Sequence, residues 1–418
     1  MYIVCRYLQW LGIDTQVFNV GNYRRQLFES SPDHGFFDPD NNIGQKQRKT
    51  AANAALEEMI AWFENGGTVG IYDATNSTVS RRRWLLELLT KHDIQVVFVE
   101  SVCEDESIVM ENVQEMKLGS PDYADRDPAW AVEDYKKRIK QYTGYEPVTE
   151  SEGAYVKLIN AGTQVMVNMV RGYLESRIVY YLMNLHTQPR KIYMSRHGES
   201  MFNLHGKIGG DSDLSPRGQL YAKKLPGLVR EHLGDKKLVV WTSSLKRTIQ
   251  TSEHLDYPKL NRKPLDELNA GMCDGMTYEE IEEKYPEDYA NRDDDKFNYR
   301  YKGGESYRDV VLRLEPIIMD LERQGNILII GHQAILRCIY AYFMNYNQED
   351  LPYIKIPLHT VIELSPKAYG CDERRYKVDI EAVDTHRPKT VHKSQDLKSA
   401  VSEKINNPIL PISPEFMA

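Results

Sequence analysis

The chain has 418 residues, 41% of them hydrophobic and 27% charged, and its formal net charge is −8. This length exceeds one ordinary hydrophobic core, so two domains and some tail are expected. The composition is globular, and the negative charge disfavours a protein that binds nucleic acid by neutralising its phosphates. Any anion site must therefore be local.

The five cysteines lie far apart and form no C-x-x-C pair. Their odd number suits a reducing compartment rather than a disulfide framework, which predicts a cytoplasmic protein. The first residues show no cleavage-site pattern, and no run of about 18 apolar residues occurs. Neither secretion nor a membrane partner is expected.

The first half of the chain alternates helical and strand patterns. Residues 2–11 carry apolar side chains at helical spacing, and Gly12 stands where a helix C-terminal cap would lie. Residues 68–72 and 94–100 are predicted strands, separated by a predicted helix over residues 80–92. This alternation is typical of βαβ units over a parallel sheet, so the first domain is predicted to be α/β.

Two further helices are predicted in this half, over residues 130–142 and 165–185. The sequence His-Thr-Gln-Pro at residues 186–189 then breaks the helical pattern. We therefore place the first domain at residues 1–186 and the second at residues 190–387.

The second domain repeats one arrangement three times: a short strand, a polar turn and a helix. The predicted strands span residues 191–194, 238–241 and 326–330, and the turns that follow read SRHGES, TSSLKRT and GHQA. In open α/β sheets, ligands bind beyond the carboxyl ends of the strands, so chemistry is expected in these turns. Residues 388–418 are polar and contain several prolines, which predicts a flexible C-terminal tail.

The three turns bring cationic and imidazole groups to one edge of the predicted sheet. Arg196 and His197 follow the first strand, Arg247 lies in the second turn, and His332 follows the third strand. Guanidinium groups can stabilise charge on a phosphoryl group without a metal, and a neutral imidazole can attack phosphorus. The pattern predicts phosphoryl transfer through a phosphohistidine, with no metal. Spacing alone does not decide which histidine attacks and which remains a phosphate donor.

The oxygen that leaves phosphorus must be protonated, which requires a carboxyl group. Glu267, in the segment LDELNAG, is the candidate acid, and Asp266 beside it is the competitor. Successive side chains of an extended segment point in opposite directions, so only one of the two can face the phosphate.

This half of the chain resembles a known family. The similar segments are SRHGES, Asn203, IGGDSDLSPRG, SLKRTIQT, NAGMCDGMTYEEI, GGESYRDVVLRLEP and GHQAILRC. They resemble the bisphosphatase half of the 6-phosphofructo-2-kinase/fructose-2,6-bisphosphatase family, and that half is part of the histidine phosphatase superfamily. The resemblance implies that His197 is the phosphoacceptor and Glu267 the acid. It implies a phosphate pocket made by Arg196, Asn203, Arg247 and His332. Residues implied to hold fructose 6-phosphate are Tyr289, Arg300, Gln333 and Arg337.

The first half resembles the kinase half of the same family in FNVGNYRR, YDATNST, VESVC and KLGSPDY, and the whole resemblance runs from about residue 2 to about residue 387. It implies that Asp73 contacts magnesium or accepts a hydroxyl proton, although a turn residue or a helix N-cap would look the same. The implied fructose 6-phosphate cradle of this half consists of Arg24, Thr75, Arg81, Lys117 and Arg138.

A nucleotide kinase of this type is expected to carry a strand followed by G-x-x-x-x-G-K-[ST], whose amides and lysine hold the nucleotide phosphates. The sequence lacks this motif and begins with a segment that resembles the helix after that loop. We expect ATP and magnesium to belong to the kinase half only, not to be bound productively, and we predict no useful kinase activity. Measurable ATP-dependent synthesis of fructose 2,6-bisphosphate would contradict this prediction.

The predicted fold is α/β in two domains: an incomplete P-loop-kinase-like parallel sheet, then a histidine-phosphatase α/β sandwich. The predicted function is hydrolysis of fructose 2,6-bisphosphate to fructose 6-phosphate and phosphate, which controls a regulator of glycolysis and gluconeogenesis. The resemblance also implies a homodimer. Alternatives are the bifunctional enzyme, if the natural product carries the missing N-terminus, and an idle subunit that modulates full-length partners. A phosphoglycerate mutase would share the R-H-G-E turn but would not explain the first half.

Overall fold

The computed structural model describes residues 1–28, 33–38, 40–105, 109, 122–123, 127–140, 144–185, 189–234, 236–367 and 370–389. Most of the predicted tail, residues 390–418, therefore lies outside the described residues, as does the predicted break at residues 186–188. Within the described ranges, no helix has both the length and the apolar character needed to cross a membrane.

The first half is a layered α/β unit with two small sheets. Its elements are α1 (Tyr2–Trp10), β1 (Thr15–Asn19), α2 (Val20–Phe28), α3 (Asn42–Glu64), β2 (Val69–Asp73), α4 (Val79–Lys91), β3 (Val97–Val102), α5 (Pro128–Lys140), β4 (Ala154–Ile159), β5 (Gln164–Asn168) and α6 (Tyr173–Met183). Strands β1 and β2 pair in parallel, as do β3 and β4, whereas β5 runs antiparallel to β4. Parallel pairing in an α/β unit is confirmed, but the two predicted strands, which became β2 and β3, lie in different sheets. Strand β5 adds an antiparallel edge to the second sheet.

The predicted helix over residues 165–185 is wrong in its first part. Residues 165–168 belong to β5, which pairs with β4 from Tyr155 opposite Asn168 to Ile159 opposite Gln164. The neighbouring strand supplies the backbone partners there, and Val165 and Val167 are β-branched residues that suit a strand. The helical part starts only at Tyr173, after Gly172, whose backbone N–H donates to Glu175.

The second half is built on one six-stranded sheet. Its elements are β6 (Ile192–Arg196), α7 (Met201–Leu204), α8 (Pro216–Leu233), β7 (Val239–Thr242), α9 (Lys246–Ser252), β8 (Lys259–Asn261), α10 (Tyr278–Lys284), α11 (Pro286–Asp294), α12 (Tyr307–Arg323), β9 (Ile327–Gly331), α13 (Gln333–Met344), β10 (Thr360–Lys367) and β11 (Gly370–Lys377). The strand order is β11-β10-β6-β9-β7-β8. Because β6, β9 and β7 are adjacent and parallel, the three predicted turns do lie along one edge.

Helices cover both faces of this sheet. Successive residues of a strand point to opposite faces, so Tyr193 joins one hydrophobic cluster while Met194 joins the other. On the first face, α8 contributes Tyr221 and Leu225, after an N-terminus capped by the Ser215 hydroxyl. On the other face, α12 and α13 complete a larger core. The predicted α/β sandwich is thereby confirmed.

The two halves share part of this larger core. Helix α1 lies against α13, where the Trp10 indole N–H donates to the Cys338 carbonyl over 2.9 Å. Arg6 forms a buried ion pair with Glu322 at 3.2 Å, and the Tyr7 ring stacks on Tyr181. The boundary near residue 187 stays a prediction, because side chains from both sides of it pack in one hydrophobic cluster.

Candidate active site

A cavity of about 290 Å³ opens at the carboxyl edge of the second sheet, and we call it the edge cavity. Its cationic wall groups are Arg196, Lys207, Arg247, Arg292, Lys296, Arg337 and Arg387. Other wall residues with polar side chains include His197, Asn203, Glu267, Tyr278, Tyr307, Gln333, Asp384 and Thr385. The concentration of cations against few carboxyl groups makes this cavity suitable for an anion that carries several negative charges.

His197 presents one ring nitrogen as a lone pair. Its Nδ1 lies 2.7 Å from the carbonyl oxygen of Gly198, and a carbonyl can only accept, so Nδ1 carries the proton. Burial lowers the pKa of His197 well below its usual value, and Arg247 and Arg196 lower it further. The ring is therefore neutral at physiological pH, and Nε2 is an available nucleophile.

His332 is held differently. The Arg247 Nε–H donates to its Nδ1 over 3.2 Å, so the proton resides on Nε2, which is 2.7 Å from the Ser243 hydroxyl oxygen. The two imidazole centroids are 5.2 Å apart, and His332 is fully buried behind the cavity wall. Burial also lowers the pKa of His332, as do Arg247 and His197. Of the two histidines, His197 has the ring nitrogen that is free to attack.

The arginines of the site keep donors available. Arg196 donates through Nη1 to the Ile356 carbonyl and to the Thr385 hydroxyl, at 3.1 Å and 2.8 Å. Its Nε is buried and finds no hydrogen-bond partner among the described residues. Arg247 donates through Nη1 to the Gly210 carbonyl at 2.6 Å. All of these acceptors are uncharged, so the guanidinium charges are left for a ligand.

The side chains of Asp266 and Glu267 point in different directions, as expected for successive residues of an extended segment. Asp266 accepts from the backbone N–H of Ser244 at 2.7 Å and from its hydroxyl. Glu267 lies on the cavity wall, where it accepts from the Ala334 N–H at 3.2 Å. Of the two carboxyl groups, only Glu267 can reach a bound anion.

Asn203 shapes the turn after His197 as well as the wall. Its side-chain oxygen accepts from the backbone N–H of Ser200 at 3.0 Å, while its own backbone N–H donates to the Ser200 hydroxyl in a capping box. The amide nitrogen of its side chain is left to donate to a ligand.

Two of the four predicted sugar-phosphate residues lie on the cavity wall. Gln333 and Arg337 project from the first turns of α13, and Arg337 donates to the Ile354 carbonyl and the Tyr307 hydroxyl. The Nη2 of Arg337 is buried and has no hydrogen-bond partner in the described part of the chain. It is a free donor of the kind that a second phosphate group needs.

Tyr289 and Arg300 are not brought to the edge cavity. Arg300 has 65% of its side chain exposed and pairs with Asp309, which caps the N-terminus of α12. The Tyr289 hydroxyl accepts from Arg387 at 3.4 Å, but Tyr289 itself is not among the wall residues. Arg300 is held away from the cavity wall by the carboxylate that caps α12. The contact of Tyr289 and Arg300 with fructose 6-phosphate stays a prediction that their positions do not support.

Several cations of the wall are not predicted by the sequence pattern. Arg292 lies in the last turn of α11 and Lys296 in the loop after it. Their run, NRDDDKFNYR, resembles an ordinary solvated helix face. Burial lowers the pKa of Lys296 to about 6, and Arg292 and Arg337 contribute to the decrease. Arg387 reaches the wall from the segment after β11 and lies 3.7 Å above the Tyr278 ring. The four-residue spacing of Arg292 and Lys296 would not have indicated this part of the wall, because Lys296 lies beyond the end of α11.

The predicted kinase-half residues form a looser group. Arg24 is buried against Asp122, and its guanidinium also lies 5.6 Å from the Phe37 ring, which Arg138 approaches to 3.5 Å. Arg81 donates to the Tyr72 hydroxyl, Thr75 is exposed, and Lys117 lies outside the described residues. The structure therefore brings Arg24 and Arg138 to the same aromatic ring.

Asp73 ends β2 beside Asn19 at the end of β1, and the two side chains are joined by a 2.7 Å hydrogen bond. A carboxylate at the carboxyl end of a parallel strand is an oxygen donor of the type that magnesium prefers. Asp73 therefore fits the magnesium ligand that the kinase resemblance implies.

Comparison with known proteins gives matches over both halves. The 6-phosphofructo-2-kinase family matches residues 2–189, and the histidine phosphatase superfamily (branch 1) matches residues 192–379. Fructose-2,6-bisphosphatase of Saccharomyces cerevisiae is 51% identical over 392 residues, which are 92% of this chain and 87% of that protein. 6-Phosphofructo-2-kinase/fructose-2,6-bisphosphatase 1 of Rattus norvegicus is 50% identical over 389 residues, 92% of this chain and 82% of that protein.

Among solved structures, the alpha-ribazole phosphatase of Shigella flexneri matches with a TM-score of 0.41 and 20% identity. The match covers 47% of this chain and 100% of that chain.

Proposed function

We infer the reaction of this chain from the premise that it belongs to the 6-phosphofructo-2-kinase/fructose-2,6-bisphosphatase family. It is a histidine phosphatase that hydrolyses fructose 2,6-bisphosphate to fructose 6-phosphate and phosphate, and so lowers a regulator of glycolysis and gluconeogenesis. The single observation that carries the residue assignment is the His197 ring, whose Nδ1 proton is bound by Gly198 and whose Nε2 is free beside Arg196 and Arg247.

In the first step, His197 Nε2 forms a bond to the phosphorus of the 2-phosphate while the bond from phosphorus to the sugar oxygen breaks. Glu267 gives its proton to that oxygen, so fructose 6-phosphate leaves as a neutral alcohol at this position. Arg196 Nε and the Arg247 guanidinium follow the charge on the equatorial oxygens, and the Asn203 side-chain N–H adds a donor. His332 holds Arg247 in place through its Nδ1.

In the second step, a water molecule attacks the phosphohistidine. The Glu267 carboxylate takes one proton from that water, the bond between phosphorus and Nε2 breaks, and neutral His197 is restored. The strong decrease in the pKa of His197 supports this cycle, since a protonated ring could not attack. The guanidinium groups supply the positive charge that the transferred phosphoryl group needs, so the step requires no metal.

A second set of cations explains why the substrate is a bisphosphate. Arg337 keeps a buried N–H without a partner in the described chain, and Lys296 is buried beside it. We assign the 6-phosphate to Arg292, Lys296, Arg337 and Arg387, with Gln333 and Tyr278 next to the sugar. A sugar phosphorylated only at the reacting position would leave the charges of Arg292, Arg337 and Arg387 uncompensated, which favours the bisphosphate over simple phosphate esters.

Three finer points are part of the proposal. A cytoplasmic location is supported by five cysteines that are all unpaired, two of them only partly buried. A homodimer follows from the family resemblance alone. In the first half, the aromatic and basic group around Phe37 supports fructose 6-phosphate binding. ATP and magnesium are the cofactors that the kinase resemblance implies for this half only, and the proposal is that they are not bound productively.

The test is a brief incubation with fructose 2,6-bisphosphate labelled on the 2-phosphate, then a quench and a search for protein-bound, acid-labile label. We expect label on His197 and release of labelled phosphate. A His197→Ala variant should take up no label and lose activity by on the order of 10⁴-fold, while a His254→Ala variant, which alters a histidine outside the cavity wall, should behave as the wild type. No label and no hydrolysis in the wild type would favour the idle subunit instead.

A further inference from the structure

His359 is a buried histidine that the proposed reaction leaves unused. It follows α13 by a long loop and precedes β10, with no exposed surface and a positive φ of 53°. Its ring stacks on Tyr221 at a centroid distance of 4.8 Å. Histidine is one of the few residues other than glycine that are enriched in this left-handed region, so its function here has to be inferred from its contacts.

The hydrogen bonds of His359 fix its tautomer. Nδ1 lies 3.2 Å from the Ile380 carbonyl oxygen, which can only accept, so Nδ1 carries the proton. The other nitrogen, Nε2, is therefore a lone pair, and it accepts the backbone N–H of Glu199 at 3.0 Å. Burial lowers the pKa of His359, which keeps that lone pair unprotonated.

The Glu199 N–H belongs to the same peptide group as the Gly198 carbonyl. That carbonyl is the acceptor of the His197 Nδ1 proton at 2.7 Å. One peptide group thus joins two imidazoles, with its N–H bound to His359 and its oxygen bound to His197. A hydrogen bond donated by the N–H polarises the peptide group and makes its oxygen a stronger acceptor.

We propose that His359 is a positioning residue for the phosphoacceptor His197, an inference that rests on the proposed function. His359 fixes the Gly198–Glu199 peptide group, and this peptide group in turn fixes the attacking tautomer of His197. Without this acceptor, the buried Glu199 N–H would be unsatisfied, and rotation of the peptide group would be the simplest relief. That rotation would carry the Gly198 oxygen away from His197 Nδ1. The fraction of His197 with a lone pair on Nε2 would then fall.

Other hydrogen bonds hold the turn after β6, but they do not bind the Gly198–Glu199 peptide N–H. The Glu199 carboxylate is bound by Arg217 and by the Ser215 hydroxyl, and the Gly198 N–H donates to Thr251. Those bonds fix the side chain of Glu199 and the preceding peptide group. Among the described residues, His359 is the acceptor for the peptide group whose oxygen binds His197.

The matched variants are His359→Gln and His359→Met. Both side chains are unbranched and of similar length, and both replace histidine at the same positive φ, but only glutamine can place an acceptor near the position of Nε2. For His359→Met, we expect the rate of phosphate transfer to His197 in a single turnover to fall about tenfold or more, with KM within about twofold of the wild type. For His359→Gln, we expect a rate within about threefold of the wild type.

Nitrogen NMR of histidine-labelled protein gives the second readout. The wild type should show His197 protonated on Nδ1, and His359→Met should show a mixture of tautomers that His359→Gln does not. Equal transfer rates in the two variants, or an unchanged His197 tautomer in His359→Met, would reduce His359 to a packing residue. If wild-type His197 takes up no label at all, the proposed function fails first, while the tautomer measurement still stands.

One measurement does not depend on the folding of any variant. The proposal requires an N–H···N hydrogen bond between Glu199 and His359, which transmits a scalar coupling between the two nitrogens in the wild-type protein. We expect that coupling between the Glu199 amide nitrogen and His359 Nε2. A proton found on His359 Nε2 in the wild type, or no coupling, would overturn the proposal.

Discussion

One buried arginine in each half of the chain shows two different ways in which a guanidinium group is satisfied. In the first half, Arg82 binds both carboxylate oxygens of Glu152, at 2.6 Å and 3.0 Å. In the second half, Arg196 is equally buried but binds a carbonyl and a hydroxyl. A carboxylate cancels the guanidinium charge, whereas neutral acceptors only satisfy its geometry. The charge of Arg196 is therefore available to a substrate, while that of Arg82 holds the fold together.

The largest expected effects separate these two arginines. Arg196→Met should lower kcat/KM by on the order of 10³-fold, because it removes donors to the transferred phosphoryl group. Its free energy of unfolding should stay the same or rise, since a buried charge without a carboxylate partner is removed. Phosphate release assays and urea unfolding provide the two measurements.

Arg82→Met should do the reverse. It leaves the Glu152 carboxylate buried without its partner, so the free energy of unfolding should fall by about 3–5 kcal/mol. The kcat of hydrolysis should not change when it is measured on the folded fraction. Equal losses of activity in both variants, or a stable Arg82→Met, would remove the distinction between the two kinds of buried arginine.

The next largest effect tests Glu267 as the acid that protonates the leaving oxygen. Glu267→Gln keeps the size of the side chain but cannot give up a proton to the leaving oxygen, so kcat should fall on the order of 10²-fold. Asp266→Asn is the matched control, because Asp266 binds Ser244 rather than the cavity. If Asp266→Asn lowers kcat as much as Glu267→Gln does, the assignment of the acid is wrong.

A smaller effect concerns Lys296, which is buried among Arg292, Arg337 and Arg387 with Asp293 as a weak counter-charge. With a pKa of about 6, it is mostly neutral at neutral pH in the free protein. A bound 6-phosphate favours the protonated form, so the folded protein should take up a proton when the substrate binds. Calorimetry of product binding at about pH 7.5, in two buffers of different ionisation enthalpy, measures that uptake.

The Lys296→Met variant should lose the proton uptake, and its KM should rise roughly tenfold with little change in kcat. Retention of the buffer dependence in that variant would mean that another group takes up the proton.

The smallest expected effect on KM is that of replacing Arg300, the exposed arginine of the second half. Arg300→Ala should change KM by less than about twofold, because the side chain faces solvent and pairs with Asp309 outside the edge cavity. Tyr289→Phe should be similarly mild. A large increase in KM in either variant would show that the loop before α12 closes over the bound sugar.

Much of the site was determined by the sequence alone. Three strands, each followed by a polar turn, are local patterns, and adjacent parallel strands necessarily place such turns on one edge of a sheet. The amino-acid order is therefore sufficient to group His197, Arg196, Arg247 and His332. Alternation along an extended segment likewise separates Glu267 from Asp266.

Tertiary structure alone decided the rest. The strand β5 forms where a helical pattern was expected, because β4 offers it backbone partners. Lys296 and Arg387 reach the edge cavity from loops whose local sequence resembles solvated surface, and Arg300 leaves it for a capping carboxylate. Likewise, only the folded chain shows which nitrogen of His197 is free, since that depends on a carbonyl oxygen held by a peptide group that His359 binds. Such contacts join segments far apart in the chain, and local periodicity carries no information about them.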